Sequence, residues 1–211
     1  MAVKGWTMYR ELLVHQVEAY LPVWEAFLQH ARPARILEIG TADGGFILSL
    51  KDRMDVINPD CEIRSYDIRD RDWYPRMRSA GVDVRVENIF TYPYDDLLRE
   101  GREAVRQFIR GDGTTVVICD GGSKKNEFRL LAPLLKDGDY ILAHDYAVSR
   151  ERFDAAIRGR LWDWCEITEW DLYEVSIACQ LEACMTEAFQ SIMWVCKERT
   201  RGHGPSSEGS A

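Results

Sequence analysis

The spacing of apolar residues changes character near residue 35. Before that point, apolar side chains recur at helical spacing, and Pro22 is expected to separate two helices or to bend one. The residues that form this pattern are Leu12, Leu13, Val17, Tyr20, Leu21, Trp24 and Leu28. After that point, short apolar runs alternate with stretches of helical period. The pattern predicts a helical leader over residues 1–30 and a domain of mixed strands and helices over residues 31–199.

Short apolar runs within residues 31–199 predict the strands of a sheet. In chain order they are ARILEIG, CEIRSYDI, VDVRVENI, TTVVICD and DYILAHDY. Residues 46–57, 95–110 and 125–136 have helical periodicity and separate several of these runs. Strands that alternate with helices pair in parallel through right-handed crossovers. The predicted fold class is therefore α/β, with a doubly wound, mostly parallel sheet covered by helices on both faces.

The last third of the chain carries a weaker pattern. A helix is predicted over residues 150–160, and strands are predicted in CEITEWDLY and FQSIMWVCKE. These two strands are expected to pair antiparallel at one edge and to complete a seven-stranded sheet. Residues 200–211 are rich in Gly, Ser and Pro, which is typical of a disordered tail.

Composition and charge narrow the class of protein. The 211 residues include 27 Lys plus Arg and 35 Asp plus Glu, which gives a net charge of −8, and 46% are hydrophobic. This content is sufficient for a core, and the negative balance argues against general binding of nucleic acids, which relies on Lys and Arg. No apolar stretch approaches the ~18–20 residues of a membrane helix, and no signal peptide is recognisable. The six cysteines contain no C-x-x-C pair, so we expect reduced thiols and a cytoplasmic location.

The first predicted strand ends in a glycine turn that runs from Glu38 to Gly45. A doubly wound sheet binds its ligand at this edge, and glycine lets the backbone turn tightly and approach a ligand closely. The start of the following helix offers free N–H groups to an anionic group. The second strand ends in Asp67, whose carboxylate can accept hydrogen bonds from both hydroxyls of a ribose. The turn and the acid together predict a nucleoside site, although such turns also occur for purely geometric reasons.

The spacing of the glycines distinguishes between cofactors. A dinucleotide fingerprint, G-x-G-x-x-G, requires glycine where Ala42 stands. The turn is similar instead to the E/D-x-G-x-G-x-G pattern of class I S-adenosylmethionine (SAM)-dependent methyltransferases, and the resemblance extends over about residues 35–146. It implies a SAM site formed by Glu38, Gly40, Thr41, Ala42, Gly44, Asp67, Asn88, Ile89 and Asp120. In this family the two glycines contact the methionyl part, Glu38 orients the loop, Asp67 holds the ribose, and Asn88 with Ile89 lies beside adenine.

A second group of polar residues follows the fourth and fifth strands. Asp120 ends one strand, and His144 and Asp145 end the next. Oxygen ligands of this kind suit Mg²⁺ or Ca²⁺, and a bound metal would lower the pKa of an acceptor hydroxyl. The arrangement resembles that of metal-dependent O-methyltransferases of the catechol, macrolide and cephalosporin-tailoring types, in which His144 stands at a position that is often acidic. The alternatives for His144 are a metal ligand, a general base in a metal-free site, or a structural cap.

Further residues have two interpretations each. Lys124 and Lys125 lie at a predicted helix start, where cations are unfavourable, so they are either solvated or pair with an acidic or phosphorylated substrate. Trp162, Trp164 and Trp170 either clasp the acceptor or pack in the core. His15, His30 and His203 are interpreted as surface, core or tail residues rather than ligands.

The principal prediction is a SAM-dependent methyltransferase for a small-molecule acceptor, with a hydroxyl oxygen as the acceptor atom. Asp120, His144 and Asp145 would position and deprotonate the acceptor, with Mg²⁺ as a possible second cofactor. The alternatives are an NAD(P)-dependent oxidoreductase and a non-catalytic nucleoside-binding module of the same fold. Methylation of nitrogen or carbon stays open, and a homodimer is weakly favoured.

Overall fold

The computed structural model describes residues 6–201 of the chain. Most of the predicted tail, with His203, lies outside the described residues. The strands are β1 (Thr7–Tyr9), β2 (Leu12–Val14), β3 (Arg35–Ile39), β4 (Glu62–Asp67), β5 (Val82–Val86), β6 (Thr115–Cys119), β7 (Tyr140–Ala143), β8 (Tyr146–Ala147), β9 (Ile167–Thr168), β10 (Leu181–Ala183) and β11 (Val195–Arg199). The helices are α1 (Tyr20–Ala31), α2 (Gly45–Ile57), α3 (Tyr74–Ser79), α4 (Arg99–Arg110), α5 (Lys124–Leu131), α6 (Arg150–Ala156), α7 (Glu169–Ala178) and α8 (Thr186–Gln190). A 3₁₀ turn covers Ala132–Leu134.

A seven-stranded sheet forms the centre of the fold, in the order β10-β11-β7-β6-β3-β4-β5. The five strands from β7 to β5 are parallel, β11 is antiparallel to β7, and β10 is antiparallel to β11. The predicted doubly wound, mostly parallel sheet is confirmed. β3 lies between β4 and β6, so the strand order reverses there and a crevice forms at the carboxyl ends of these strands. Both groups of predicted site residues lie at that edge.

Both faces of the sheet are buried, which explains why its strands are nearly continuous apolar runs. Successive side chains of β3 point to opposite faces, so Ile36 packs in one core and Leu37 in the other. An aromatic cluster joins the N-terminal helix α1 to the first core. In it the ring of Trp24 lies 5.2 Å from that of Phe46 and 5.1 Å from that of Trp194.

The prediction of helix is wrong between Leu12 and Ala19 and is confirmed from Tyr20 to Ala31. β1 and β2 form an antiparallel hairpin, and α1 begins only at Tyr20, with Pro22 in its first turn. Leu12 and Val14 are buried as alternate residues of a strand, and over so short a stretch the two-residue and 3.6-residue periods are hard to separate. The hairpin also lies close to α2, since a side chain at Gly45 would meet the carbonyl oxygens of Leu12 and Leu13.

The prediction of a strand in CEITEWDLY is wrong over most of its length. Only Ile167 and Thr168 are extended, and they pair with β8 rather than with the sheet edge. Helix α7 follows at once, opened by a capping box in which Thr168 and Asp171 satisfy each other's backbone N–H groups. The three-residue spacing of Thr168 and Asp171 was the sequence signal for the start of this helix. The antiparallel neighbour of β11 is β10, and the predicted strand at residues 189–198 begins only at Val195.

Two further features are the length and polarity of the helices and the burial of the cysteines. Across residues 6–201, every helix is too short or too polar to cross a bilayer. All six cysteines are free thiols, and five of them are buried. Burial raises the pKa of the Cys61 thiol to about 12, so this side chain behaves as a small apolar residue of the core.

Candidate functional site

The glycine turn joins the ends of three strands. The N–H of Gly40 donates to the carbonyl oxygen of Tyr66 at 2.8 Å, and the N–H of Asp120 donates to that of Ile39 at 3.0 Å. Gly40 has a φ of +95°, and a Cβ added there would lie 2.3 Å from the carbonyl oxygen of Asp120. A side chain at this position would therefore both strain the backbone and push β3 away from β6.

Asp67 is fixed at the mouth of the crevice by two backbone donors. Its Oδ2 accepts from the N–H of Ala42 at 2.8 Å, and its Oδ1 accepts from the N–H of Arg69 at 2.9 Å. Each carboxylate oxygen retains a second lone pair. The side chain is thus held in one orientation and keeps acceptor capacity for a pair of hydroxyl groups.

Glu38 lies behind the turn rather than in the crevice. It is buried, and it accepts a hydrogen bond from the hydroxyl of Ser65, which pairs at 2.5 Å with the hydroxyl of Thr41. Burial raises the pKa of Glu38 well above its ordinary range. These contacts link β3, β4 and the turn, so Glu38 supports the loop without facing a ligand.

A cavity of about 270 Å³ opens beside the turn, at the ends of β3, β4, β5 and β6. The predicted residues that line it are Gly40, Ala42, Asp67, Asn88, Ile89 and Asp120. Glu38, Thr41 and Gly44 are not among the lining residues. The sequence analysis missed Phe90 and Tyr94, whose ring centroids lie 5.5 Å apart at the wall. An apolar wall and a fixed carboxylate in the same cavity suit a flat base attached to a sugar.

Glu127 also lines the cavity and was missed by the sequence analysis. Its carboxylate accepts hydrogen bonds from the N–H of Gly121 at 3.1 Å and the N–H of Ser123 at 2.9 Å. Burial raises the pKa of Glu127 to about 7. The available signal was an acid in the first turn of the helix that follows the double glycine.

Lys124 is surrounded by carboxylates at the ends of β6 and β7. Its Nζ lies 3.0 Å from Asp145 Oδ2, 3.4 Å from Glu166 Oε2 and 3.8 Å from Asp120 Oδ1. Burial lowers the pKa of Lys124, but the three carboxylates outweigh it and raise the pKa above its ordinary value. Burial likewise raises the pKa of Asp145, and the His144 ring and the Lys124 ammonium bring it below its ordinary range.

The two adjacent lysines have different surroundings. The solvated interpretation is wrong for Lys124, which is only 8% exposed. Lys125 is exposed, and its Nζ lies 2.6 Å from Asp171 Oδ1 on α7. Sequence reasoning named both lysines but could not find Glu166, which lies in the loop before β9.

His144 is enclosed behind Asp120. Its Nδ1 lies 3.1 Å from Asp120 Oδ1, and its ring stacks on Trp194 with centroids 4.9 Å apart. Its Nε2 is buried and has no hydrogen-bond partner within residues 6–201. The ring does not line the cavity, so this arrangement suits a residue that holds Asp120 better than one that meets an acceptor directly.

The N-terminal segment reaches into the site through two residues. The buried side chain of Gln16 donates to Asp120 Oδ2 at 2.9 Å and accepts from the indole N–H of Trp194 at 2.8 Å. His15 Nε2 lies 2.6 Å from Asp43 Oδ2 in the glycine turn. The segment between β2 and α1 therefore orients one wall of the site, which the sequence analysis missed.

Trp162 and Trp164 differ in role. Trp162 is buried, and its indole N–H donates to Asp145 Oδ1 at 2.6 Å, whereas Trp164 is exposed. Trp170 is exposed as well and stacks on Tyr173 along α7. The packing interpretation therefore applies to Trp162 alone.

Asp120, His144 and Asp145 come together as their positions suggested, but their arrangement does not fit a metal ion. The Lys124 ammonium lies between the two carboxylates, and His144 Nδ1 is within hydrogen-bond distance of Asp120. Among the residues that the structure describes, no group of three or more His, Cys, Asp or Glu side chains could hold a metal. A divalent ion could enter only if Lys124 moved away.

Comparisons with known proteins were informative at the level of structure alone. No protein-family model matches the sequence, and no curated protein matches it. A structure of CmcI with Mg and SAM has a TM-score of 0.62 at 16% identity, and the match covers 91% of this chain and 76% of that one.

Two further structures match over most of this chain. An O-methyltransferase family protein from Burkholderia thailandensis has a TM-score of 0.54 at 12% identity, over 86% of this chain and 55% of that one. Human N-acetylserotonin methyltransferase in complex with SAM has a TM-score of 0.50 at 11% identity, over 86% of this chain and 52% of that one. The chain has the class I methyltransferase fold. At these identities the likeness establishes the fold, and the activity must be argued from the site.

Proposed function

We propose that this protein is a SAM-dependent methyltransferase that acts on a hydroxyl oxygen of a small-molecule acceptor. The observation that carries the proposal is the meeting of three features at one edge of a sheet with this fold. These features are the glycine turn at Gly40, the carboxylate of Asp67 and the apolar cavity beside Ile89. The likeness to structures described as O-methyltransferases and N-acetylserotonin methyltransferase supports a small acceptor.

The donor half of the proposal assigns a role to each predicted residue. Asp67 would bind the ribose, and Asn88 with Ile89 would lie beside the base, because all three line the cavity. The backbone of Gly40, Ala42 and Gly44 would approach the methionyl part, while Glu38 and Thr41 hold the turn from behind. When bound, SAM supplies an electrophilic methyl group.

The acceptor half assigns contact with the acceptor to Asp120. Asp120 lines the cavity, and its two oxygens are held by Gln16 and His144, so its orientation is set before a ligand arrives. Asp120 would accept the proton of the hydroxyl, with His144 and Asp145 holding the wall behind it. Alignment of the reacting groups would supply much of the acceleration. Magnesium takes no part in this proposal, since Lys124 already lies between the carboxylates.

The environment of the enzyme remains at the level of prediction. We place it in the reducing cytoplasm because its six cysteines are free thiols. A homodimer stays a prediction from the resemblance.

The first test is isothermal titration of the purified protein with S-adenosylhomocysteine, with NADH titrated in parallel. Micromolar binding of S-adenosylhomocysteine with no response to NADH is the expected result. Tight binding of NADH alone would instead favour the oxidoreductase and contradict the proposal.

The second test follows transfer of a labelled methyl group from SAM to a panel of hydroxylated small molecules. Asp120→Asn should abolish transfer while leaving the affinity for S-adenosylhomocysteine nearly unchanged, because the amide cannot take the proton. Full activity of that variant would remove Asp120 from its role. Donor binding with no turnover on any acceptor class would favour the non-catalytic module.

A further inference from the structure

We infer that Lys124 is a built-in cation at the acceptor end of the site, standing where a divalent metal ion would have to bind. The role of this site in methyl transfer rests on the proposed function, whereas the position of the cation does not. The consequence is that the reaction would proceed without a metal.

Negatively charged side chains converge on the Lys124 ammonium. Three carboxylates from separate parts of the chain surround one ammonium at 3.0–3.8 Å, and the side chains of Lys124, Asp120 and Asp145 are 10–15% exposed. Mg²⁺ and Ca²⁺ require oxygen ligands at ~2.0–2.6 Å, which an ammonium in that position excludes. Removing the ammonium would leave three acids together in a partly buried place, an arrangement that attracts a cation.

The carboxylate oxygens of Asp120 and Asp145 already have hydrogen-bond or ion-pair partners. On Asp145, Oδ1 accepts from the indole N–H of Trp162 at 2.6 Å and Oδ2 faces Lys124 at 3.0 Å. On Asp120, Oδ2 accepts from Gln16 at 2.9 Å and Oδ1 faces His144 at 3.1 Å. Each of the four oxygens thus has a partner within the protein, and one of them, Asp145 Oδ2, faces the ammonium directly.

Lys124 is held both at its backbone N–H and at its Nζ. Its backbone N–H donates to Glu166 Oε1 at 2.7 Å, and its Nζ lies 3.4 Å from Oε2 of the same carboxylate. The Nζ also donates to the carbonyl oxygen of Gly121 at 3.0 Å. As the first residue of α5, a lysine is unfavourable with respect to the helix dipole, and Glu166 offsets that effect. The ammonium is therefore fixed in place rather than free to leave for an incoming ion.

A fixed positive charge has a use beside an acceptor hydroxyl. Asp120 lines the cavity, and the ammonium of Lys124, which is not a lining residue, lies 3.8 Å from Asp120 Oδ1. A preorganised charge near the position where an oxyanion develops stabilises it without any reorganisation. Lys124 is thus a positioning residue that holds Asp120 and Asp145 and supplies the charge that a metal would otherwise bring.

The test is a titration of the full-length protein with Mn²⁺, followed by electron paramagnetic resonance of the free ion. The unaltered protein should leave millimolar Mn²⁺ unbound, and its affinity for S-adenosylhomocysteine should be the same with and without EDTA. Lys124→Met keeps most of the length of the side chain and removes the charge, so this variant should gain a Mn²⁺ site. Lys125→Met is the matched control, and Lys124→Arg retains a charge, so neither should gain one.

The outcomes separate this inference from the proposed function. Stoichiometric Mn²⁺ binding by the unaltered protein that is lost in Asp145→Asn would overturn the inference, as would a folded Lys124→Met variant that binds no Mn²⁺. If Lys124→Met does not fold by circular dichroism, the unaltered protein and Lys124→Arg still decide the question. A gain of Mn²⁺ binding in Lys124→Met, with no binding of S-adenosylhomocysteine by any form, would support the inference and contradict the proposed function.

Discussion

The proposed donor side and the proposed acceptor side of this site are built in different ways. The donor side, at the ends of β3, β4 and β5, combines the backbone of the glycine turn with the fixed carboxylate of Asp67 and an apolar wall. The acceptor side, at the ends of β6 and β7, is a set of buried side chains that satisfy one another around Lys124. The donor side therefore depends on chain geometry, and the acceptor side depends on the balance of charge. Substitutions on the two sides should therefore have different effects on the protein.

The donor side is broken most severely at Gly40. Gly40→Ala places a methyl group against the carbonyl oxygen of Asp120 and strains a positive φ. We expect the affinity for S-adenosylhomocysteine to fall by at least about tenfold. Gly138→Ala is the matched control, because Gly138 has a φ of +80° and open space at its Cβ.

Calorimetric titration and thermal unfolding measure both effects. The control carries only the cost of the left-handed conformation, roughly 1–2 kcal/mol of unfolding free energy, with the affinity unchanged. Equal behaviour of the two variants would show that the close approach at Gly40 does not matter.

Asp67 tests the donor-side contact that a carboxylate makes. Asp67→Ala should weaken the binding of S-adenosylhomocysteine by about 1.5–3 kcal/mol, the range for hydrogen bonds to a charged group. Asp67→Asn retains an acceptor oxygen and should lose less. Asp70→Ala, at an exposed acid just beyond β4, is the control. An unchanged affinity in Asp67→Ala would mean that the ribose does not bind here.

The same contrast explains what the sequence could predict. Gly40 and Asp67 follow apolar strands directly, so their positions at one sheet edge come from local pattern and topology. Gln16 and Glu166 reach the site from loops far away along the chain, and their partners depend on tertiary packing that no local period records. The direction in which the Lys124 side chain turns towards Asp120 and Asp145 could not be predicted either, because no local pattern records it.

The boundaries of strands and helices can likewise be predicted where the local pattern is long enough. β3 and α2 matched their predicted positions because a buried strand and an amphipathic helix have distinct periods over their full lengths. The β1-β2 hairpin did not, since three-residue strands carry too little pattern to identify. The start of α7 is encoded locally, in the capping box formed by Thr168 and Asp171, so this boundary is predictable from the sequence.

The acceptor side is tested through Trp162. Trp162→Phe removes the N–H that donates to Asp145 and keeps most of the aromatic packing. We expect the free energy of unfolding in urea to fall by about 1.5–3 kcal/mol, with the affinity for S-adenosylhomocysteine unchanged. The exposed Trp164, changed to Phe, should have no effect on either. A loss of donor affinity in Trp162→Phe would show that the two sides are not separate.

Glu127, on the helix that follows β6, offers a smaller, pH-dependent test on the acceptor side. Its pKa is about 7 in the folded protein and near 4.5 when unfolded, so it stays protonated in the fold after the unfolded chain has ionised. Its contribution to stability is complete below pH 4.5 and is lost as the pH rises through 7. Between pH 6 and 7 the loss is about 1 kcal/mol.

Urea unfolding over this pH range measures the effect. Glu127→Gln should remove that slope, whereas Glu103→Gln at an exposed position of α4 should retain it. A slope that persists unchanged in Glu127→Gln would assign the titration to another group.

A crystal structure of the complex with S-adenosylhomocysteine, grown in the presence of Mg²⁺, tests the central claim most directly. We expect the ribose hydroxyls to lie on Asp67, the base beside Ile89 and the homocysteine chain over Gly40. We also expect the Lys124 ammonium to remain between Asp120 and Asp145. A ligand bound elsewhere, or a magnesium ion between those carboxylates with Lys124 turned away, would contradict it.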